Sequence, residues 1–239
     1  MARFVLVHGA FSGAWTWEQV ADALRAAGHT VVAPDLPGSG DDHTPAEQVT
    51  LDGYAERVKE ALEGGDEPAL LVGHSMGGVA ITHAARLAAD RIRMLVYVTA
   101  FLPPDGKTLL DMTQLPEGAG DQIQANLIIE PPVGRLEEDA LRAAVYNNTP
   151  EEAILAALPR RRPQPLAPMG MPVTRGDGFD EIPRAYVFCE RDQSIPPALQ
   201  HRMVDEDGHV AQTFTLDTDH APMVSATGEL VAILEQLAA

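Results

Sequence analysis

The sequence predicts an α/β fold built on a mostly parallel sheet of about six strands flanked by helices, with a cap inserted. Three observations carry this expectation: short β-branched runs recur along the chain, amphipathic stretches alternate with them, and Gly, Pro or Asp bounds each run. RFVLVHG opens the series. The helical stretch after it has Thr16 and Gln19 spaced as a capping box and Gly28 as its stop. TVVAPD is the second run. Thr50 then precedes a helix carrying Tyr54, Val58 and Leu62 at i, i+4 spacing, closed by Gly64. ALLVGHS and MLVYVTA flank the helical stretch GGVAITHAARLAA, and AYVFCE and QTFTLD complete the strands. Thr227 to Leu237 reads as the last helix. The six runs read as apolar throughout, the mark of strands covered on both faces. Strands and helices in strict alternation imply right-handed crossovers.

The rhythm breaks between Phe101 and Arg184. This stretch is rich in Pro, Met and Leu, with LPPDG, EPPVG and RRRPQPLAPMGMP. Helical pieces fall around Leu136–Tyr146 and Thr149–Leu158, and no strong buried strand is expected. Some eighty residues are too many for a plain loop. The chain is therefore expected to divide into a core, residues 1–100 and 185–239, and an inserted cap, 101–184, over the sheet's C-terminal edge. Met112, Leu115, Leu127, Ile128, Leu155, Leu158 and Met169 give the cap its apolar surface.

Composition limits the function classes. The chain has 239 residues, 35 acidic against 17 basic, and a net charge of −18, which argues against nucleic acid or an anionic membrane as partner. The one cysteine, Cys189, excludes an internal disulfide and fits a reducing compartment. MARFVLVHGAF is too short for a signal h-region, so a cytoplasmic location is expected. Fifteen arginines against two lysines hint at a GC-rich bacterial genome. The run Arg160-Arg161-Arg162 reads as a solvated loop. No H-E-x-x-H or similar ligand set occurs, and neither metal nor cofactor is expected. The sequence admits a homodimer.

Ligands of open α/β sheets bind outside the carboxyl ends of the strands. At those ends stand His8-Gly9-Ala10-Phe11, then Ser75, Asp192 and His220, in that order along the chain. Gly73-His74-Ser75-Met76-Gly77 fits the G-x-S-x-G nucleophile elbow, a turn so tight that a Cβ two residues before or after the serine would clash. A serine hydroxyl needs a base. Of eight histidines, His220 alone combines a loop after the last strand with a following helix. His74 is read as a structural neighbour and His8 as shaping its own loop. Asp192, after AYVFCER, is placed to orient His220. Charge developing on a tetrahedral intermediate needs backbone donors, which the amides of Met76 and Ala10 can supply.

With these residues assembled, the chain resembles the α/β-hydrolases, and more closely the plant-type esterase and hydroxynitrile lyase group with its bacterial relatives. FVLVHGAFSGAWTW, GHSMGG, RPQPLAP, ERDQSIPPALQHRM and DTDHAPMVS carry the resemblance over nearly the whole chain. It implies Ser75, Asp192 and His220 as a catalytic triad, Ala10 and Met76 as oxyanion-hole amides, and a small-molecule ester as substrate. Lyases of the group resemble one another in a threonine after the first-strand histidine and a lysine after the catalytic histidine. Gly9 and Ala221 stand there in this chain, which favours hydrolysis of a small apolar or aromatic ester, or of a lactone, over cyanohydrin cleavage. A ligand receptor built on the same fold, with slow or no turnover, is the alternative of another class.

Overall fold

The computed structural model describes residues 1–239. In chain order the core's first part runs β1 (Arg3–Val7), α1 (Glu18–Ala26), β2 (Thr30–Val32), α2 (Leu51–Glu63), β3 (Ala69–Ser75), α3 (Gly77–Ala88) and β4 (Ile92–Ala100). An insert follows, with α4 (Leu109–Thr113), α5 (Gln122–Asn126), β5 (Ile128–Glu130), β6 (Val133–Arg135), α6 (Glu138–Val145), α7 (Glu151–Ala157) and β7 (Gln164–Pro165). The chain then returns to the core through β8 (Arg184–Cys189), α8 (Pro197–Asp207), β9 (Val210–Leu216), α9 (Pro222–Ser225) and α10 (Thr227–Ala238).

Six strands form one parallel sheet in the order β2-β1-β3-β4-β8-β9. Its inner strands are apolar on both faces because both faces are covered. Val5, Val7 and Leu71 point into one core layer with α2 and α3, while Phe4, Leu6 and Val72 point into the other with α1 and α10. Each such side chain, removed from water, contributes roughly 1.5–3 kcal/mol before entropy is counted. Because every pair is parallel, the C-terminal ends of β1, β3, β8 and β9 lie along one edge, and the strand order doubles back beside β1.

Two local expectations need correction and a third needs refinement. Thr16 does not cap α1: a 3-10 turn over Ala14–Trp17 precedes the helix, and the Thr16 hydroxyl donates back to the Gly13 carbonyl at 2.9 Å. Thr50 does cap α2, accepting the Gly53 amide at 3.0 Å. Second, β9 is not covered on both faces. It is an edge strand, and Gln212, Thr213 and Thr215 face water. Third, the insert holds no strong buried strand, as expected, but it does carry short ones: β5, β6 and β7 pair antiparallel as a separate small sheet. They are two or three residues long, too short to leave an alternating pattern.

Candidate active site

The turn from β3 into α3 holds Ser75 at φ +54°, a left-handed conformation that costs a non-glycine residue on the order of 1–3 kcal/mol. It persists because its surroundings leave no alternative. A Cβ at Gly77 would lie 2.6 Å from the Val7 carbonyl oxygen and 2.7 Å from that of His8, and one at Gly73 would lie 2.8 Å from the Gly77 oxygen. The glycines let α3 start against β1, so Ser75 stands at the sheet edge. The loop after β1 lies directly over it, since a Cβ at Gly9 would come within 2.8 Å of the Ser75 Cβ.

Asp192 follows β8 and is 1% exposed; His220 follows β9 and is 4% exposed. The His220 Nδ1–H donates to Asp192 Oδ2 at 2.6 Å, which leaves Nε2 as the ring's lone-pair nitrogen. The other carboxylate oxygen, Oδ1, accepts the amides of Ser194 at 2.6 Å and Ile195 at 2.9 Å. A further donor is one the sequence did not reveal. Thr99 sits in a bulge of β4, between the pairs His74–Val98 and Ser75–Ala100, at φ +35°, and its hydroxyl donates to Asp192 Oδ2. The carboxylate is thus fixed by four donors, an arrangement suited to orienting an imidazole and stabilising its cation.

His74 does more than fill space. Its Nε2–H donates to the His220 carbonyl at 2.7 Å, tying the loop after β9 to β3, and the two rings lie 4.7 Å apart. Burial, and then the nearby His220, hold the His74 pKa well below its ordinary value, so the ring is neutral. His8 shapes its own loop, accepting the Leu36 amide on Nε2 at 3.1 Å. His220 makes its hydrogen bonds to Asp192 and His74 and none to the Ser75 hydroxyl. Contacts between nucleophile and base are often long until substrate is bound.

The candidate oxyanion donors are free of protein partners. Neither the Met76 amide nor the Ala10 amide is taken by a protein acceptor. The Ala10 loop is clamped from the insert: Gln164 Oε1 accepts the Phe11 amide at 3.1 Å, the Arg162 amide donates to the Phe11 carbonyl at 3.3 Å, and Arg161 Nη1 donates to the Ala10 carbonyl at 3.4 Å. Phe11 takes φ +58° in this clamp. The segment Arg160–Arg162 is therefore not simply a solvated loop. Arg160 pairs with Glu18 at 2.7 Å, and Arg161 packs over Trp15 and Tyr146.

Ser75, Met76, Ala10 and His220 line one cleft, and the insert supplies much of its wall. Of the apolar cap residues named from sequence, Leu127 and Met169 line it, whereas Met112 packs in the core without lining it and Leu155 is 56% exposed. Asp121, Gln124 and Arg161 also line it, and nothing in the sequence marked them. No cluster of His, Cys, Asp or Glu side chains that could hold a metal ion is present, and no helix is long and apolar enough to cross a membrane.

Comparison with known proteins gives a consistent answer. A family model described as the alpha/beta hydrolase family matches residues 4–233. Methylesterase 7 of Arabidopsis thaliana is 30% identical over 257 residues, covering 99% of this chain and 96% of its own. Methyl jasmonate esterase 1 of Vitis vinifera is 29% identical, covering 98% and 96%. Among solved structures, a pyrethroid hydrolase from Sphingobium faniae JZ-2 superposes with a TM-score of 0.89 at 26% identity, covering 99% of this chain and 97% of its own. Polyneuridine aldehyde esterase gives 0.85 at 26% identity, with 100% of both chains covered.

Proposed function

The chain belongs to the alpha/beta hydrolase family, and on that premise we propose that it is a serine esterase acting on small apolar or aromatic carboxylic esters through an acyl-enzyme. The observation that carries this reading is the buried Asp192–His220 hydrogen bond, at 2.6 Å, facing the same cleft as a serine held at φ +54°. The relatives named as methylesterases make methyl esters the first substrates to try.

In this reading Ser75 Oγ attacks the ester carbonyl carbon while His220 Nε2 takes its proton. The carbonyl oxygen becomes the oxyanion and receives the amides of Ala10 and Met76. Asp192 stabilises the imidazolium without taking its proton. The intermediate collapses, the carbon–oxygen bond to the alcohol breaks, and His220 returns the proton to the leaving alcohol. Water then attacks the acyl-enzyme with His220 again as base, releasing the acid and restoring Ser75. Residues 101–184 act as the cap that walls the reaction off from bulk water. The single cysteine and the surplus of arginine over lysine support a reducing, cytoplasmic and bacterial setting.

A panel of p-nitrophenyl and methyl esters with short aliphatic and aromatic acyl groups tests the proposal. Turnover of at least one with kcat/KM in the ordinary enzymatic range, about 10⁴ M⁻¹s⁻¹ or above, is expected. Tight binding without turnover of any ester or lactone would favour the receptor instead.

A further inference from the structure

Four carboxylates of this chain are buried: Asp121, Asp192, Asp207 and Asp219. Three face donors or cations on both carboxylate oxygens. Asp192 has the four donors described above. Asp207 is paired with Arg175 at 2.9 Å and Arg184 at 3.1 Å. Asp219 accepts from the Asn148 and Ala221 amides and the Thr149 and Ser225 hydroxyls, all at 2.7–3.1 Å. Asp121 is the exception. It is 6% exposed, and one of its oxygens, Oδ1, accepts the Gln124 amide at 3.0 Å. No donor meets Oδ2 in hydrogen-bond geometry.

A mostly buried carboxylate with one oxygen left without a protein donor is costly, and such groups cluster at functional sites. Asp121 lines the cleft that holds Ser75 and His220. Burial pushes its carboxyl up to about 6, against the pull of the Gln124 and Ile123 amides. Gln124, one turn on, lines the same cleft, and its side-chain amide has no protein partner. The remaining charged side chain there, Arg161, is turned to Tyr146 Oη at 3.0 Å and makes no ion pair with Asp121. An acceptor oxygen and a free amide therefore line the cleft that holds Ser75, among a lining of which 10 of 18 residues are hydrophobic.

We propose that Asp121, with Gln124 beside it, is a recognition point for a hydrogen-bond donor carried by the substrate close to its ester group, a hydroxyl or an amine. The inference rests on the esterase reading above and names its substrate class. A site built around a free acceptor discriminates strongly, because an ester lacking the donor leaves the carboxylate desolvated and unpaired. The preferred substrates are thus hydroxy or amino esters, and plain hydrocarbon esters of the same shape are poorer.

Three methyl esters of equal bulk test this: mandelate for the hydroxyl, phenylglycine for the amine, and phenylacetate for neither, with both enantiomers of the first two. The expected kcat/KM ratio to phenylacetate is about tenfold or more for mandelate or phenylglycine. Mandelate above phenylglycine identifies a hydroxyl donor, and the reverse an ammonium. In Asp121→Leu the ratio falls to about one. Asp121→Asn keeps an N-cap oxygen for the Gln124 amide, so it guards against loss of the fold, and it loses any preference for the ammonium. Binding of the same esters to Ser75→Ala, measured by calorimetry, reads the preference without turnover and so separates failure of this inference from failure of the esterase reading. Equal kcat/KM and equal Kd for all three esters, or ratios unmoved in Asp121→Leu, would overturn it.

Discussion

Ser75→Ala lowers kcat for ester hydrolysis by about 10⁴- to 10⁶-fold, the scale seen when a triad nucleophile is removed, while KM changes little. The size follows from the chemistry. Without Oγ there is no acyl-enzyme, and His220 and the amides of Ala10 and Met76 are left to assist only direct attack by water. The fold is expected to survive. Alanine deletes one oxygen, and the strained φ of +54° belongs to the tight β3–α3 turn that Gly73 and Gly77 permit, not to the hydroxyl. Steady-state kinetics with a p-nitrophenyl ester, together with an unchanged circular dichroism spectrum, check this outcome. Wild-type rates in the variant would remove Ser75 from the reaction.

Asp192→Asn is expected to cost about 10⁴-fold in kcat, close to the loss of the serine itself. The carboxylate accepts four hydrogen bonds and donates none. An amide can keep the Ser194 and Ile195 bonds on its oxygen, at 2.6 and 2.9 Å, only by turning its NH₂ toward His220 and Thr99. His220 Nδ1 must then accept, which moves the proton to Nε2, the nitrogen required as base. The wrong tautomer, rather than lost packing, is the cause. The variant should therefore regain rate as pH rises, when hydroxide can replace the missing base, whereas a protein that had simply unfolded would not. A pH profile of kcat/KM for wild type and variant measures this.

The sheet was legible because its inner strands are unbroken apolar runs, and such runs fit few settings other than a strand covered on both faces. The elbow was legible because glycine on both sides of a serine answers to a steric demand that the Gly73 and Gly77 contacts make explicit. His220 and Asp192 could be singled out because strand ends leave few chemically able residues to choose from. Where the reading fell short, tertiary context decided. QTFTLD holds enough polar residues to be an edge strand, yet its place at the edge depends on the strand order. Thr16 has a capping residue's spacing, but the 3-10 turn before α1 takes its hydroxyl elsewhere. Thr99 looks like an ordinary residue of MLVYVTA; its approach to Asp192 exists only through a bulge, which arises between two strands. Asp121 caps a helix of five residues that leaves no periodic signal, so nothing in the sequence pointed to it or to the cleft it lines. The insert is the least legible part because short strands and turns bury little apolar surface of their own.

Covalent labelling tests the central claim, ester cleavage through an acylated Ser75, most directly. The protein is treated with a fluorophosphonate, which traps an activated serine as a stable phosphonyl ester with loss of fluoride, and is then analysed by intact-mass and peptide mass spectrometry. The account predicts one adduct per chain on the peptide carrying Ser75, full loss of esterase activity in step with labelling, and no adduct in Ser75→Ala or His220→Ala. Ester hydrolysis that persists in fully labelled protein, or an adduct on any residue other than Ser75, would contradict it.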